Sequence, residues 1–300
     1  MLLLLMMGWT AAYGADYNIV DYGAKPDTTI LCTSALQQAI DDCSRAGGGR
    51  VVVPAGMYKT GSIRLKSHVC LYLEQGATLY GSTRLSDYMP MKSDYVSLRT
   101  NTETIQLIYA DQVSHVTIDG DGTIDGQGRA FKKLSWNDEG ITRPHLLRFI
   151  QSSDITVRGI TLRNSGCWMQ HYLACDRLHI DGIKVFNRNN YNNDALDLDG
   201  CHDVIVRGIG ICQDGIFIES EGQRQIIQSG HYQRLWLRIT NNSLENTHQF
   251  AYSTDGQRFV SAGSAFSMHS GYWKGIRVGL FCYGNDGKAQ FDVFSQKVSH

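Results

Sequence analysis

The chain has 300 residues, of which 42% are hydrophobic and 19% charged, and its formal net charge is −1. A chain of this length and apolar content can bury a substantial core in one or two domains, which excludes a disordered protein. The near-zero net charge excludes the strong positive field that favours nucleic acid or an anionic membrane as partner. Glycine is frequent, at 31 residues, and proline is rare, at 4. Recurrent Gly, Asn and Asp predict many turns between short strands.

The first nine residues are almost entirely apolar, and small residues follow them up to Ala15. This order is typical of a secretory signal peptide, so we predict a leader over residues 1–15 and a periplasmic or extracellular protein. A buried first strand or cap is the alternative. The apolar run is shorter than the roughly 20 residues that cross a bilayer as a helix, and we therefore expect no membrane span.

Eight cysteines are spread along the chain, and none of their spacings is the C-x-x-C pair of a zinc or redox site. Export would permit disulfides between them. We favour the other interpretation, in which they are small buried apolar side chains of a stacked core. They are Cys32, Cys43, Cys70, Cys167, Cys175, Cys201, Cys212 and Cys282.

The segment before residue 90 predicts a cap for the rest of the fold. It begins with a short strand at residues 17–20. Helical periodicity follows at residues 33–46, where four apolar residues share one face: Leu36, Ala39, Ile40 and Cys43. Three glycines at residues 47–49 end the helix, and residues 51–53 predict a buried strand. A glycine-rich phosphate loop is excluded, because such a loop opens a helix rather than following one.

From about residue 110 the chain repeats a short β-branched strand that ends in glycine. Four copies occur, at residues 114–120, 153–159, 175–182 and 201–208. A period in the twenties with short strands and Gly/Asn/Asp connections predicts a solenoid of stacked coils. Leucine-rich repeats share this period, but they need leucine at fixed offsets. The pattern therefore predicts a parallel β-helix over residues 16–222, whose exposed faces suit a linear polymer.

After residue 222 the repeat stops, and longer alternating strands take its place. Residues 235–239, 249–253 and 276–281 have this alternation, and a turn is predicted at residues 254–256. These features are typical of an antiparallel sandwich. Residues 223–300 are short for a complete sandwich domain, so we predict a partial β-sandwich joined to a β-helix that ends early.

Carboxylates are concentrated in the stretch of residues 192–199, which contains Asp194 and Asp197. Inverting hydrolysis of a glycosidic bond needs two carboxyl groups roughly 6.5–9.5 Å apart. Neighbouring coils of a β-helix are about 4.8 Å apart, so Asp194 and Asp214 of the next coil can reach that separation. The leucines of this stretch would point inward and the aspartates outward. A solvated strand edge is the structural alternative.

Short motifs occur at residues 21–24, 46–49, 53–56 and 73–77, and Asn164, Ser165 and Trp168 lie close together further along the chain. These motifs resemble those of glycoside hydrolase family 28, the polygalacturonases and rhamnogalacturonases. The first four look like the N-terminal cap of that family, and the three later residues look like its pre-catalytic turn. The stretch Asn192-Asn193-Asp194 looks like the family's Asn-Thr-Asp motif, whose aspartate helps to activate water. The resemblance implies an all-β, right-handed parallel β-helix of the pectin-lyase-like type. It also implies inverting hydrolysis of a pectic galacturonan without metal or cofactor.

The chain departs from that family pattern at the next motif. The family has Asp-Asp there, with the first aspartate as general acid, whereas this chain has Gln213-Asp214. A neutral amide cannot donate the proton. The family's later Gly-His-Gly and Arg-Ile-Lys motifs are also missing at their expected spacing. Residues 252–256 and 279–283 instead resemble the sandwich module that follows family 43 β-xylosidases.

These observations lead to one principal hypothesis, a secreted polygalacturonase-type glycoside hydrolase in which Asp194 and Asp214 are catalytic. Asn192, Gln213 and Asp197 would support them or bind substrate, and activity would be impaired by the loss of the general acid. We expect a monomer whose partner is a pectic polysaccharide or oligosaccharide. The alternatives are an inactive carbohydrate-binding protein, a Ca²⁺-dependent pectate-lyase-like enzyme and a non-functional truncated product.

Overall fold

The computed structural model describes most of the first 207 residues and shorter stretches beyond them. The described residues are 14–98, 100, 102–135, 138–187, 190–207, 216–220, 223–228, 236–242, 247–267 and 294–295. The predicted leader therefore falls almost entirely outside the described residues, and so do Gln213 and Asp214. The chain divides into two compact units, residues 1–204 and residues 205–300. The domain boundary predicted between residues 222 and 223 stays a prediction.

The first unit is a parallel β-helix built from three sheets. From Gly49 to residue 207 the chain visits the three sheets in a fixed rotation, and we number them first, second and third. The first sheet contains Asp16–Asn18, Gly49–Val53, Val69–Leu73, Ser114–Gly120, Ser153–Arg158, Asp176–Asp181 and His202–Arg207. The second sheet contains Gly56–Thr60, Ala77–Gly81, Thr123–Asp125, Thr161–Arg163 and Lys184–Phe186. The third sheet contains Ile63–Arg64, Gln106–Asp111, His145–Ile150, Gln170–Leu173 and Asp197–Asp199. The fold predicted from the repeats is thus confirmed.

The predicted repeat copies form consecutive strands of the first sheet. Parallel pairing places Val116 beside Ile155 and Ile155 beside Leu178, so equivalent residues stack in register. All three side chains are almost completely buried. Because strand side chains alternate between faces, each copy sends every second residue into the core, which stabilises the fold by roughly 1.5–3 kcal/mol for each large aliphatic side chain.

The corner from the third sheet to the first is alike in three successive coils. It is two residues long after Gln106–Asp111, His145–Ile150 and Gln170–Leu173. Its backbone uses left-handed φ values at non-glycine residues, at 55° for Gln112, 44° for Gln151 and 52° for Ala174. The corner from the second sheet to the third differs from coil to coil, from two residues after Gly56–Thr60 to 24 residues after Ala77–Gly81. Variable loops on a rigid scaffold are where functional residues concentrate.

A helix caps the start of the β-helix. It runs from Thr33 to Arg45, with Ala46 as its C-cap, and its buried face is the predicted one together with Ala35. The strand predicted at residues 17–20 is wrong in its extent. The strand is Asp16–Asn18, and Ile19–Tyr22 form a 3-10 turn because the Asn18 side chain accepts a hydrogen bond from the Val20 N–H.

The cysteines that the structure describes are buried and free of disulfides: Cys32, Cys43, Cys70, Cys167, Cys175 and Cys201. Burial raises the pKa of Cys167 to about 12 and that of Cys43 to about 11. These thiols therefore pack as small apolar side chains. Cys212 and Cys282 lie outside the described residues.

The second unit contains antiparallel strands. Ile216–Ser220 pairs with Gln223–Gln228, and a three-stranded sheet contains Trp236–Asn242, Thr247–Ser253 and Val260–Ser267. Phe294–Ser295 is a further short strand. The predicted turn lies between the second and third strands of the sheet, where Gly256 has a φ of 75°. The antiparallel character predicted for this part of the chain is confirmed.

No helix in the described residues combines the length and the apolar character needed to cross a membrane.

Candidate active site

The predicted residues Asn192, Asp194 and Asp197 lie where the chain passes from the second sheet to the third. Asn192 and Asp194 belong to the corner that follows Lys184–Phe186, and Asp197 begins the strand Asp197–Asp199. The N–H of Met169 in the preceding coil donates to the carbonyl oxygen of Asp194 at 2.9 Å. This hydrogen bond extends the backbone pairing of the third sheet by one step. It therefore aligns the backbone of Asp194 with the preceding coil.

The side chain of Asp194 is exposed, as is that of Asn192. Asn192 has a left-handed backbone, with a φ of 55°, a conformation that asparagine adopts more readily than most residues. The structure thus presents the Asp194 carboxylate to solvent from a turn whose backbone is tightly bent. The other half of the predicted catalytic pair, Asp214, lies outside the described residues, as does Gln213.

A buried arginine from two coils earlier holds this turn. Arg143 is fully buried, and its guanidinium donates to the carbonyl oxygen of Tyr191 at 2.6 Å and to Asn192 Oδ1 at 3.0 Å. The same guanidinium donates to Asp138 Oδ1 from Nε at 2.9 Å and from Nη2 at 2.6 Å. A buried charge needs a partner of opposite charge, and Asp138 is that partner. Other N–H groups of the Arg143 guanidinium remain to bind the turn.

Pairing with Arg143 requires an ionised carboxylate at Asp138. Burial raises the pKa of Asp138, but hydrogen bonds from Arg143 and from the backbone N–H groups of Leu134 and Ser135 outweigh burial and leave the pKa below its ordinary value. Asp138 is therefore ionised when Arg143 contacts it. The ion pair and the turn at residues 191–192 form one hydrogen-bonded unit.

A second network holds the residue immediately before Asp194. Asn193 Nδ2 donates to the carbonyl oxygen of Ser165 at 3.1 Å, to Ser165 Oγ at 3.2 Å and to Asn187 Oδ1 at 3.0 Å. Asn187 Nδ2 also donates to Ser165 Oγ, at 2.7 Å. Ser165 is fully buried. The motif predicted as a pre-catalytic turn thus contacts the Asn192–Asp194 stretch directly.

Asp197 has different surroundings from Asp194. It lies in register with His171, which is itself in register with Arg148, and only 8% of Asp197 is exposed. Leu198 is instead in register with Tyr172, whose ring stacks on Phe149 at a centroid distance of 5.2 Å. The expectation that the aspartates of this stretch face solvent is therefore wrong for Asp197, which is buried, while Leu198 is half-buried.

A group of aromatic and imidazole rings lies beside that row of polar residues. Trp168 meets His171 edge to face at 4.8 Å, and His145 stacks on His171 at 6.3 Å. His171 Nε2 lies 3.9 Å from Asp199 Oδ2. Every residue of Gln106–Asp111, His145–Ile150 and Gln170–Leu173 is buried, so these three strands of the third sheet are covered on both faces.

Chemically, the arrangement offers one exposed carboxylate on a backbone that is held from both sides. Such a group can accept a proton from water or orient it, because fixed geometry lowers the entropy cost of the reaction. Within the described ranges, no three His, Cys, Asp or Glu side chains come together as metal ligands.

Sequence reasoning missed the residues that hold the site. Arg143, Asp138 and Asn187 were not among the candidates, and neither was His171. One signal was available, because Arg148 interrupts the apolar residues of the strand His145–Ile150. The nearly continuous apolar run is typical of a parallel strand covered on both faces, so the charged residue within it has to be buried.

The chain matches the profile of glycosyl hydrolases family 28 over residues 43–233. It also matches the profile of the β-xylosidase C-terminal concanavalin A-like domain over residues 189–297. Both resemblances predicted from the motifs are confirmed. The two matched ranges overlap at residues 189–233, which include Asp194 and Asp214.

Among curated relatives, a probable polygalacturonase from Vitis vinifera is 32% identical over 195 residues, which are 61% of this chain and 40% of that protein. A putative β-xylosidase from Xylanibacter ruminicola is 53% identical over 79 residues, 26% of this chain and 15% of the relative. The chain thus spans less than half the length of either. A solved structure of a putative glycosyl hydrolase from Parabacteroides merdae superposes with a TM-score of 0.54 at 27% identity, covering 64% of this chain and 87% of that one.

Proposed function

Because the chain belongs to glycosyl hydrolases family 28, we propose that it hydrolyses glycosidic bonds of a pectic galacturonan at the corner that carries Asp194. The observation that carries this proposal is the exposed Asp194 carboxylate on a turn fixed by Arg143 on one side and by Ser165 and Asn187 on the other. A base that is already in position needs little reorganisation when the substrate arrives.

In the proposed reaction, Asp194 and Asp214 activate a water molecule, which attacks the anomeric carbon from the face opposite the leaving oxygen. The configuration at that carbon is inverted. Asn192 keeps the turn before Asp194 in place, since its Oδ1 accepts a hydrogen bond from Arg143. Gln213 stands where a proton donor is expected, so the leaving oxygen must take its proton from another group or from solvent. We therefore propose slow turnover.

A second candidate function is carbohydrate binding without hydrolysis. The amide of Gln213 favours it, because an amide can hydrogen-bond a sugar hydroxyl but has no acidic proton to donate. In that case the corner around Asp194 holds a glycan whose length stays unchanged.

We also propose secretion and a monomeric state. Secretion rests on the leader predicted at residues 1–15, and a polymeric extracellular substrate agrees with it. N-terminal sequencing of the protein recovered from culture medium would check the leader, and an intact Met1 would contradict it.

The test of the hydrolase proposal is the release of reducing ends from polygalacturonate and rhamnogalacturonan. We expect slow release by the unaltered chain, none by Asp194→Asn, and faster release by Gln213→Asp, which restores a carboxyl group at the donor position. If Asp194→Asn releases reducing ends as fast as the parent, the assignment of Asp194 is wrong. Binding with no release by any of the three proteins would support the second candidate instead.

A further inference from the structure

The fixed turn before Asp194 displays an aromatic ring. Tyr191 is 65% exposed, although both of its backbone polar groups are bonded. Its N–H donates to Asn190 Oδ1 at 2.9 Å, and its carbonyl oxygen accepts from the buried Arg143 at 2.6 Å. The backbone of Tyr191 is thus held in place while most of the side chain faces solvent.

A lysine from another loop stands over this ring. Lys133 Nζ lies 5.1 Å from the centroid of the Tyr191 ring, within the roughly 6 Å over which an ammonium group is attracted by an aromatic face. Lys133 is half-buried, while its neighbour Lys132 is exposed. The ammonium and the ring are separated by 58 positions in sequence, so only the fold brings them together.

The two loops are tied to each other by asparagine. Asn190 Nδ2 donates to the carbonyl oxygens of Gly128 at 2.9 Å and of Phe131 at 2.5 Å. Phe131 is buried and lies two residues before Lys133. The ring and the ammonium are therefore supported by the same hydrogen-bonded network, which limits how far apart they can move.

An exposed aromatic ring with a cation over one of its faces matches the chemistry of a uronate sugar. The pyranose ring has an apolar C–H face that packs against an aromatic ring, and its C5 carboxylate pairs with an ammonium group. A neutral sugar can use only the first of these contacts. Tyr191 is three residues before Asp194, at most about 11 Å along an extended chain, so a polymer on the ring also reaches the carboxylate.

We propose that Tyr191 and Lys133 form a uronate-binding subsite next to Asp194, in which the Tyr191 ring packs against the sugar and the Lys133 ammonium selects its carboxylate. The proposal rests on the proposed function for its substrate class. It also supplies a basic group for the substrate at this corner, where the sequence lacks the Arg-Ile-Lys motif at its expected spacing.

The competing explanation is structural, because a lysine over a tyrosine can simply stabilise the two loops. The two explanations differ in how the loss of the Lys133 ammonium should affect the binding of acidic and neutral ligands. A structural contact affects acidic and neutral ligands alike, whereas a carboxylate contact affects only the acidic ligand.

The experiment measures binding by calorimetry with full-length protein that carries Asp194→Asn, so that the ligand is not cleaved. The ligands are an oligogalacturonate and its fully methyl-esterified form. We expect Lys133→Met to weaken binding of the acid about tenfold, the loss of one charge-assisted contact, and to leave the ester unaffected. Lys132→Met, the matched control, should change neither.

The ring is tested separately. Tyr191→Ala should weaken binding of both ligands about three- to tenfold, while Tyr191→Phe keeps the aromatic face and should retain binding. Thermal unfolding of every variant checks that the fold is intact.

Equal losses for acid and ester in Lys133→Met, or equal effects of Lys133→Met and Lys132→Met, would overturn the subsite and leave the hydrolase proposal standing. Selective loss of acid binding together with no reducing-end release by the unaltered chain would overturn hydrolysis and keep the subsite. Binding of neither ligand by the parent would overturn both.

Discussion

Arg143 Nη2 donates a hydrogen bond of 3.0 Å to Asn192 Oδ1, although the two residues are 49 positions apart. Arg143 is fully buried and Asn192 is exposed, so the bond connects the interior of one coil to the surface turn of another. The position of Asp194 therefore depends on an ion pair, Arg143 with Asp138, that lies beneath it.

The first prediction concerns that ion pair. Arg143→Met should destabilise the protein by about 3–5 kcal/mol, because it leaves the buried carboxylate of Asp138 without its partner. It should also lower turnover more than it raises KM, since the turn at residues 191–192 loses two hydrogen bonds. Urea unfolding and kinetics on polygalacturonate measure the two effects.

Arg45→Met is the matched control for this change. Arg45 also pairs with an aspartate, Asp42, but its side chain is 74% exposed. Exposed pairs contribute about 0.5 kcal/mol or less, so this variant should unfold at nearly the parent's urea concentration. Similar losses of unfolding free energy in Arg143→Met and Arg45→Met would show that burial of the Arg143 pair adds nothing to stability.

The second prediction concerns pH. The pKa of Asp138 in the folded protein lies below its ordinary value of 3.8, so its ionised form contributes stability above that pH, and this contribution is lost as the pH falls through the folded-state pKa. Asp138→Asn should thus be much less stable than the parent at pH 7, and the difference should shrink below pH 3.8. Urea unfolding at several pH values checks this.

Asp154 provides the comparison for the pH series. Hydrogen bonds from Arg177 lower the pKa of Asp154 to about 2, but the side chain of Arg177 is 52% exposed. Solvent and salt screen such a pair. Asp154→Asn should therefore have a smaller effect than Asp138→Asn at every pH, and a gap for Asp138→Asn that persists unchanged to pH 3 would contradict the prediction.

The third prediction concerns Ser165. Its hydroxyl oxygen accepts from the amides of both Asn187 and Asn193, so Ser165→Ala removes one acceptor from each of two half-buried amides. We expect a loss of about 1 kcal/mol and lower turnover, because Asn193 is adjacent to Asp194. Ser153→Ala, which removes a hydroxyl on the first sheet, should retain turnover. Unchanged turnover in Ser165→Ala would separate this network from catalysis.

The fourth prediction concerns Gly128. A Cβ atom at this position would lie 1.9 Å from the carbonyl oxygen of Ser165, so Gly128→Ala must push two neighbouring coils apart. Overpacking of this kind costs about 1–3 kcal/mol, and it should also disturb the bond from Asn190 to the Gly128 carbonyl.

Gly182→Asn is the control for Gly128→Ala. Gly182 has a φ of 60°, and a Cβ atom there would meet no described residue within 4 Å other than its chain neighbours. Asparagine also tolerates a left-handed backbone, so this variant should unfold close to the parent in urea. Equal stability of Gly128→Ala and the parent would mean that the coils are less tightly packed at this corner than their spacing implies.

The local sequence pattern was sufficient to predict the strands of the first sheet. Strands such as Ser114–Gly120 and Ser153–Arg158 alternate apolar and polar residues, and a period of two is enough to assign a half-buried strand. The third sheet was harder to interpret. Tyr109, Ile150 and Leu173 form an apolar cluster against Met91 and Tyr95, so a segment distant in sequence covers a face that alternation alone assigns to solvent.

The sequence by itself determined the solenoid, the family resemblance and the candidacy of Asp194, because each of these depends on residues that are close together in the chain. Only the tertiary structure decided that Asp197 is buried, that Arg143 holds Asn192, and that Lys133 stands over Tyr191. The physical reason is that these contacts form between loops of different coils. Their geometry is set by stacking, which brings residues about 25–60 positions apart into contact and leaves no periodic trace in the sequence.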